Sequence, residues 1–235
     1  MPIIRPQFIN QEIYHIVTRG VEKRVIFQDE SDHYRAIFSL YEFNDEKHVL
    51  IRDRRRTRLQ QKKLGREQFS ANRNLIVEIL AFCLMPNHIH LLLKQLKDNG
   101  ISKFMNKFGA GYGTYFNKKY NRTGHLFQGR FRAVHIKNNE QLQNVFVYIH
   151  TNPTETIESG WKDIGVENTD EVIKFLENYK WLSYADYIGK KNFPSVTHRE
   201  FLMRIMGNEG SCKNFVNHWI QYKGEIKTLG NIILE

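Results

Sequence analysis

The sequence predicts an α+β fold with a ferredoxin-like antiparallel sheet and helices on one face. Segments typical of strands and helices follow one another in the order strand, helix, strand, strand, helix, strand, helix. Residues 75–84 and 88–93 are two apolar runs separated by Met85-Pro86-Asn87, which indicates a tight antiparallel hairpin. With 235 residues and a 41% hydrophobic fraction, the chain is long enough for one sizeable core.

The first half supplies a strand, a helix and a basic segment. Residues 13–18 are β-rich and run into Arg19-Gly20, a strand followed by a turn. Residues 34–43 carry apolar side chains at spacings of three and four, which predicts a helix with Ser31 as its N-cap. Residues 47–73 contain ten Lys and Arg against two acids with little apolar periodicity, which predicts an exposed basic insertion.

The second half supplies a glycine-rich helix, a strand and several further helices. Residues 100–120 are helix-like despite three glycines, which would allow another backbone to approach closely. Residues 131–136 alternate as a strand, and residues 141–152 form a helix that Pro153 ends. Further helices are predicted at 170–179, 199–206 and 216–222. We therefore divide the chain into a main domain, residues 1–153, and a C-terminal helical extension, residues 154–235.

Composition narrows the choice of partner and compartment. The formal net charge is +10, and residues 99–139 carry eight Lys and Arg with no acid, so nucleic acid is the leading partner. No apolar run approaches the ~18 residues of a membrane helix, so no membrane association is expected. Two cysteines cannot form a disulfide framework, and the N-terminus lacks the apolar stretch of a secretory signal. We expect a cytoplasmic, nucleoid-associated protein.

The pair His88 and His90 is the first candidate site. Residues two apart on a strand project from the same face, so the two imidazoles point the same way while Ile89 enters the opposite layer. Such a pair can bind a divalent cation and leave positions open for a substrate. The alternative is a pair of hydrogen-bonded histidines at a sheet edge, and the motif alone does not decide between them.

The pair Tyr148 and Asn152 is the second candidate site. Residues four apart on a helix share a face, so the phenol and the amide oxygen would reach the same place. An amide oxygen is a suitable hard ligand for Mg²⁺ or Mn²⁺. The alternative is that Tyr148 packs in the core and Asn152 caps the helix end before Pro153, and for this pair in isolation that reading is the stronger one.

Longer phrases give these pairs a common context. In order along residues 8–187, the sequence resembles the single-tyrosine HUH transposases, the IS200-like family, and within them the REP-associated tyrosine transposases. The matching phrases are Tyr14-His15-Ile16-Val17-Thr18-Arg19-Gly20, Met85-Pro86-Asn87-His88-Ile89-His90-Leu91-Leu92, residues 115–131, Tyr148-Ile149-His150-Thr151-Asn152-Pro153 and, more loosely, Trp181-Leu182-Ser183-Tyr184. The basic insertion is longer than the family pattern, and the part after residue 187 has no match.

The resemblance implies a metal-dependent transposase that cuts and rejoins single-stranded DNA beside short hairpins. Tyr148 matches the nucleophile, which forms a 5′-phosphotyrosine link, while His88, His90 and Asn152 match the ligands of Mg²⁺ or Mn²⁺. Relatives include monomers and dimers, so a homodimer is possible. The rival nucleophiles are Tyr112, Tyr115 and Tyr120. Expected DNA contacts are the basic residues Arg19, Arg54, Arg55, Arg56, Lys118, Lys119, Arg122, Arg130 and Arg132.

Three other functions stay open from the sequence. A relaxase or replication-initiator nickase uses the same chemistry, although the small size of the chain and the absence of a helicase motif argue against it. A domesticated transposase of the same fold would bind nucleic acid without catalysis. A hydrolytic metal nuclease would cleave DNA without a protein–DNA adduct.

Overall fold

A four-stranded sheet forms the centre of the molecule. The computed structural model describes residues 6–65 and 73–221. Within them, the strands are β1 (Ile13–Arg19), β2 (Val77–Met85), β3 (His88–Gln95) and β4 (Arg132–Ile136). They lie in the order β2-β3-β1-β4, and every neighbouring pair is antiparallel. This order confirms the α+β, ferredoxin-like fold, and the tight β2–β3 hairpin is present as predicted.

One face of the sheet is covered by two helices, α1 (Glu30–Phe43) and α3 (Gly100–Lys119). Their apolar side chains form one cluster with the residues of this face, among them Ile16 and Leu91. The two helices touch closely at Gly111, where an added Cβ would lie 2.2 Å from Cζ of Phe43. The close approach that the glycines predict is therefore made at this position. Asp29, rather than Ser31, caps α1, because its carboxylate accepts the Asp32 amide at 3.0 Å.

The basic segment contains the helix α2 (Ile51–Lys63), which the sequence analysis did not predict. Although α2 has little apolar periodicity, it packs on α1 through charge: the Arg58 guanidinium lies 2.6 Å from the buried Glu42 carboxylate. Arg54 adds an ion pair of 2.8 Å with Asp45. Residues 66–72 of the predicted insertion lie outside the described residues.

The other face of the sheet is covered as well, by α4 (Asn139–Thr151) and by helices of the C-terminal part. Those helices are α5 (Trp161–Ile164), α6 (Thr169–Asn178), α7 (Tyr184–Tyr187), α8 (Arg199–Met206) and α9 (Glu209–Gln221). The sequence analysis placed helices on one face only. A second layer is needed because the strands also carry apolar side chains on this face, such as Leu80, Cys83 and Leu92.

The C-terminal part also covers the open edge of β2. The Leu84 amide donates to the Trp181 carbonyl at 2.9 Å, and the Ser183 amide donates to the Phe82 carbonyl at 3.1 Å. Residues 154–221 therefore share a core with the sheet, while the domain division at residue 153 remains a prediction. Residues 222–235, which include the end of the last predicted helix, lie outside the described residues. None of the described helices has the length and apolar character to cross a membrane.

Candidate active site

Four side chains from three elements meet on the α4 face of the sheet. His15 on β1 and His90 on β3 hydrogen-bond through Nε2 and Nδ1 at 3.0 Å. His88 stands beside His90, with ring centroids 4.8 Å apart, so the pair projects from one face as the alternation predicts. The Tyr148 ring from α4 lies edge-on to both His90 and His15, at centroid distances of 5.6 and 5.9 Å. One chain thus brings the histidine pair and the tyrosine helix together.

The histidines of this cluster are neutral. Burial lowers the pKa of His88 to about 3, with smaller effects from the positive charges of Arg19 and Lys162. Burial also lowers the pKa of His15 to about 3 and that of His90 well below its ordinary value. A neutral imidazole keeps one nitrogen lone pair, which is the form that binds a metal ion.

The hydrogen bonds of the pair involve the Nδ1 atom of each ring. His88 Nδ1 donates to the side-chain oxygen of Asn87 at 2.6 Å, so its Nε2 holds the lone pair. His90 Nδ1 is engaged with His15, and among the described residues no atom is hydrogen-bonded to the buried Nε2 of His90. Buried polar atoms in proteins almost always have a partner. A buried nitrogen without one is therefore suited to bind a cation.

Within the described part of the chain, few groups beside the imidazoles of His88 and His90 could supply oxygen ligands. Among the described residues, no group of three or more His, Cys, Asp or Glu side chains is arranged to hold a metal ion. Asn152 follows α4 and is buried, and its amide nitrogen donates to the Tyr148 carbonyl at 3.3 Å. The donor set that fits a divalent cation is thus two imidazole nitrogens, and the role of the Asn152 oxygen as a third ligand remains a prediction.

The phenol of Tyr148 has a cationic partner. Lys162, on α5, donates from Nζ to the Tyr148 hydroxyl oxygen at 3.2 Å, and its Nζ lies 4.8 Å from the ring centroid. The tyrosine side chain is 5% exposed. Two imidazoles and one ammonium group therefore lie against this side chain.

The three rival tyrosines lie on the opposite side of the sheet, where α3 packs. The Tyr112 hydroxyl donates to the Ile26 carbonyl at 2.6 Å. Tyr115 and Tyr120 donate to the two oxygens of the Asp32 carboxylate at 3.0 and 2.7 Å. Each rival hydroxyl thus has an internal acceptor on the face that the histidine pair does not share.

His150 has a structural role. It is fully buried, and its Nε2 lies 2.8 Å from the Ser183 hydroxyl, which in turn donates to the Phe82 carbonyl. This chain of hydrogen bonds ties α4 to the segment that covers the edge of β2. Although His150 is two residues from Tyr148, it faces a different part of the molecule.

The predicted DNA contacts divide into two groups. Five of them are exposed to solvent: Arg55, Arg56, Lys118, Arg130 and Arg132. The others are partly buried, and three of these bind within the protein. Lys119 pairs with Asp29 and Asp32 at 2.6 and 2.8 Å, Arg54 pairs with Asp45, and Arg122 donates to Asn117. The exposed side chains are the ones that a DNA phosphate can reach directly.

Sequence reasoning missed two residues of this cluster. His15 stands in a quoted family phrase, but only strand pairing shows that it reaches His90, since β1 and β3 are distant in the sequence. Lys162 lies 14 residues after Tyr148 in a segment without a recognisable motif. Strand alternation could have suggested that His15 and Val17 share a face, whereas nothing in the sequence points to Lys162.

Comparisons with known proteins agree with the resemblance read from the motifs. Residues 43–152 match the family model described as transposase IS200 like. This range contains the His88–His90 pair, Tyr148 and Asn152, and it begins after β1. The resemblance to this family is thereby confirmed. No curated protein sequence matches the chain significantly.

Several solved structures are similar in part. A REP-associated tyrosine transposase bound to a REP hairpin has 14% identity and a TM-score of 0.47, over 83% of this chain and 90% of that chain. A Deinococcus radiodurans R1 protein assigned as a transposase has 13% identity and a TM-score of 0.32, over 60% and 92%. A bacterial tRNA(His) guanylyltransferase-like protein with GTP has 11% identity and a TM-score of 0.37, over 69% and 73%. At such scores, none of these likenesses carries an argument about function.

Proposed function

Because residues 43–152 match the IS200-like transposase family, we propose that this protein cleaves and rejoins single-stranded DNA through a covalent phosphotyrosine link. Tyr148 is the proposed nucleophile, and His88, His90 and Asn152 are the proposed ligands of Mg²⁺ or Mn²⁺. The proposed substrate is single-stranded DNA next to a short hairpin, as the sequence resemblance implies. The activity of that family is DNA transposition.

One observation carries the proposal: the Tyr148 ring lies 5.6 Å from the His90 ring within the same chain, on the side of the sheet from which His88 also projects. A nucleophile and an electrophilic centre must act on one phosphate, so they must lie together. Of the tyrosines that the sequence leaves as candidates, Tyr148 is the one that contacts the histidines. The other three hydroxyls donate to acceptors on the opposite face.

The proposed chemistry exchanges one phosphate ester for another. The Tyr148 phenol loses its proton to water, and its oxygen bonds to phosphorus while the bond to the 3′ oxygen breaks. The 3′ oxygen takes a proton from water and leaves as a hydroxyl, with the 5′ phosphate held on the tyrosine. An incoming 3′-hydroxyl can reverse these bonds and join a new strand, since the ester energy is retained.

The chain's own residues hold and orient the reacting groups. His15 holds the ring of His90, and Asn87 holds the ring of His88. With His90 Nδ1 donating to His15, both Nε2 atoms would present lone pairs to a cation. A divalent cation bound there would polarise the scissile phosphate and offset the charge that builds on its oxygens. The exposed Arg55, Arg56, Lys118, Arg130 and Arg132 supply positive charge for the DNA backbone.

The proposal is tested by trapping the covalent link. The protein is incubated with a labelled single-stranded hairpin oligonucleotide and Mn²⁺ or Mg²⁺, denatured, and separated by size. Wild type should give a denaturation-resistant protein–DNA band, and Tyr148→Phe should give none. Tyr115→Phe is the matched control, because it removes a phenol on the opposite face and should leave the adduct intact.

Each other result points to a different function. An adduct that persists in Tyr148→Phe and disappears in Tyr115→Phe would refute the choice of nucleophile. Cleavage without any adduct would show a hydrolytic nuclease. Salt-dependent binding without cleavage would show a DNA-binding protein with no catalysis.

A further inference from the structure

We propose that Lys162 is a second catalytic residue, whose ammonium group holds the Tyr148 oxygen and stabilises its negatively charged form during attack and departure. This inference rests on the proposed function, because it assigns a role in the same reaction. It also gives the C-terminal helical segment a part in catalysis, since Lys162 lies on α5, beyond the residues that match the family model.

The contact is specific in its geometry. Lys162 Nζ is 3.2 Å from the hydroxyl oxygen of Tyr148, a hydrogen-bond distance, and 4.8 Å from the centroid of the same ring. The lysine is half-buried, and the neighbouring Trp161 is 2% exposed and belongs to the apolar cluster that contains Tyr148. The buried indole anchors α5, so the lysine is held against the phenol by packing as well as by charge.

The groups around the phenol indicate what this lysine contributes. The imidazoles of His15 and His90 face the ring edge-on, with their centroids 5.9 and 5.6 Å from its centroid. Lys162 brings a full positive charge to the phenol oxygen itself, where the reaction makes negative charge.

The interaction changes in strength along the reaction. An ammonium group binds an anionic oxygen more strongly than a neutral phenol or an ester oxygen. As the Tyr148 proton leaves for water and the oxygen attacks phosphorus, Lys162 therefore stabilises the charged oxygen more than the resting phenol. In the reverse step, the same ammonium stabilises the phenolate as the phosphorus–oxygen bond breaks. Lys162 neither gives nor takes a proton in these steps, so no further co-reactant is needed.

The test compares three variants of the full chain. Lys162→Met keeps the apolar stem over the ring and removes the charge, and Lys162→Arg keeps a charged donor. Lys174→Met is the matched control, because Lys174 is an exposed lysine on α6 and its loss changes the net charge equally. For each protein, the single-turnover rate of adduct formation is measured at saturating hairpin oligonucleotide, together with the Kd for that DNA.

A third measurement reports on the contact without any reaction. Protein labelled with ¹³C at Cζ of tyrosine gives one signal for each ring, and the Tyr148 signal is identified by its absence in Tyr148→Phe. Removing the ammonium from the hydroxyl should displace this signal in Lys162→Met and leave it in place in Lys174→Met.

The expected result is a slower reaction with unchanged binding. Loss of one donor to a reacting oxyanion costs about 10²–10³ in rate when it is enclosed, and water screens this half-buried lysine, so we expect about 10- to 100-fold. Lys162→Arg should recover most of the rate, and Lys174→Met should match wild type.

Two results would overturn the inference alone. The first is a Lys162→Met rate equal to wild type. The second is a loss of rate matched by an equal loss of DNA affinity and not recovered in Lys162→Arg, which would make Lys162 a DNA contact or a structural residue. Failure of wild type to form any adduct would instead overturn the proposed function and the role of Lys162 with it, whereas the ¹³C signal would still show whether the contact exists.

Discussion

Replacing His15 with phenylalanine should weaken metal binding without unfolding the protein. His15 is fully buried, and its Nε2 lies 3.0 Å from His90 Nδ1. When His90 binds a cation through Nε2, its Nδ1 must carry the proton and donate it to His15. The substitution His15→Phe keeps a ring of similar size and removes that acceptor. His90 would then keep its place on β3 with nothing to fix its tautomer or its orientation.

The structure separates the effect on stability from the effect on metal binding. In wild type, His15 Nδ1 is a buried atom without a hydrogen bond among the described residues. The substitution removes this unpaired atom and leaves His90 Nδ1 unpaired instead, so the free energy of unfolding should change by about 1 kcal/mol or less. Loss of a partner that orients a metal ligand costs about 10- to 100-fold in metal affinity, which is about 1.4–2.8 kcal/mol.

The assay is a titration with Mn²⁺ at pH 7.5, in which free Mn²⁺ is followed by electron paramagnetic resonance, and urea unfolding of the same samples. His90→Phe serves as the positive control and should abolish binding. His150→Phe is the matched control, because it exchanges another fully buried histidine that contacts Ser183 rather than His90. It should lower stability and keep the affinity for Mn²⁺.

Unchanged Mn²⁺ affinity in His15→Phe, with binding abolished in His90→Phe, would refute the role of His15 in orienting its neighbour. Absence of Mn²⁺ binding by the wild type, alone and with hairpin DNA, would refute the metal centre itself. A large loss of stability in His15→Phe would contradict the expectation that one unpaired nitrogen replaces another at little cost.

Three further predictions concern stability and DNA binding. Gly111→Ala should destabilise the protein by about 1–3 kcal/mol, because its Cβ would lie 2.2 Å from an aromatic ring of α1 and the core is already full. Gly113→Ala should instead stabilise it by up to about 1 kcal/mol in urea unfolding, since the nearest atom to its Cβ is 3.7 Å away and alanine favours the helix. Burial alone would raise the pKa of Asp32, but hydrogen bonds from a lysine and two tyrosines hold it below its ordinary value. This carboxylate therefore adds stability above pH 4, and that stability is lost as the pH falls through its lowered pKa. Asp32→Asn should lower the free energy of unfolding by about 2–3 kcal/mol at pH 7. The difference in unfolding free energy between Asp32→Asn and wild type should be smaller at pH 3. Arg55→Gln should reduce the salt dependence of single-stranded DNA binding by about 0.7 in the slope of log K against log salt, whereas Arg54→Gln, which loses an ion pair of 2.8 Å, should mainly lower stability.

Local periodicity explains why the elements were predicted well. The alternation along residues 88–93 and the spacing of apolar residues in 199–206 are properties of the backbone of one strand or one helix. The cap of α1 was misplaced by two residues, because Asp29 and Ser31 are both good N-caps and only the observed backbone shows which one accepts the amide. The helix α2 was not predicted, because its basic sequence has little apolar periodicity. Ion pairs to buried carboxylates hold it in place.

The sequence by itself determined the resemblance to the IS200-like transposase family, the ferredoxin-like order of elements, and the direction in which His88 and His90 point. These follow from phrases and from the two-residue repeat of a strand, which need no knowledge of the rest of the chain. Only the tertiary structure decided that Tyr148 contacts the histidines while Tyr112, Tyr115 and Tyr120 lie on the other face, and that His15 and Lys162 complete the cluster. Those pairings join residues that are far apart in the chain or lack any motif, and they depend on which strands are neighbours and on which face each helix packs.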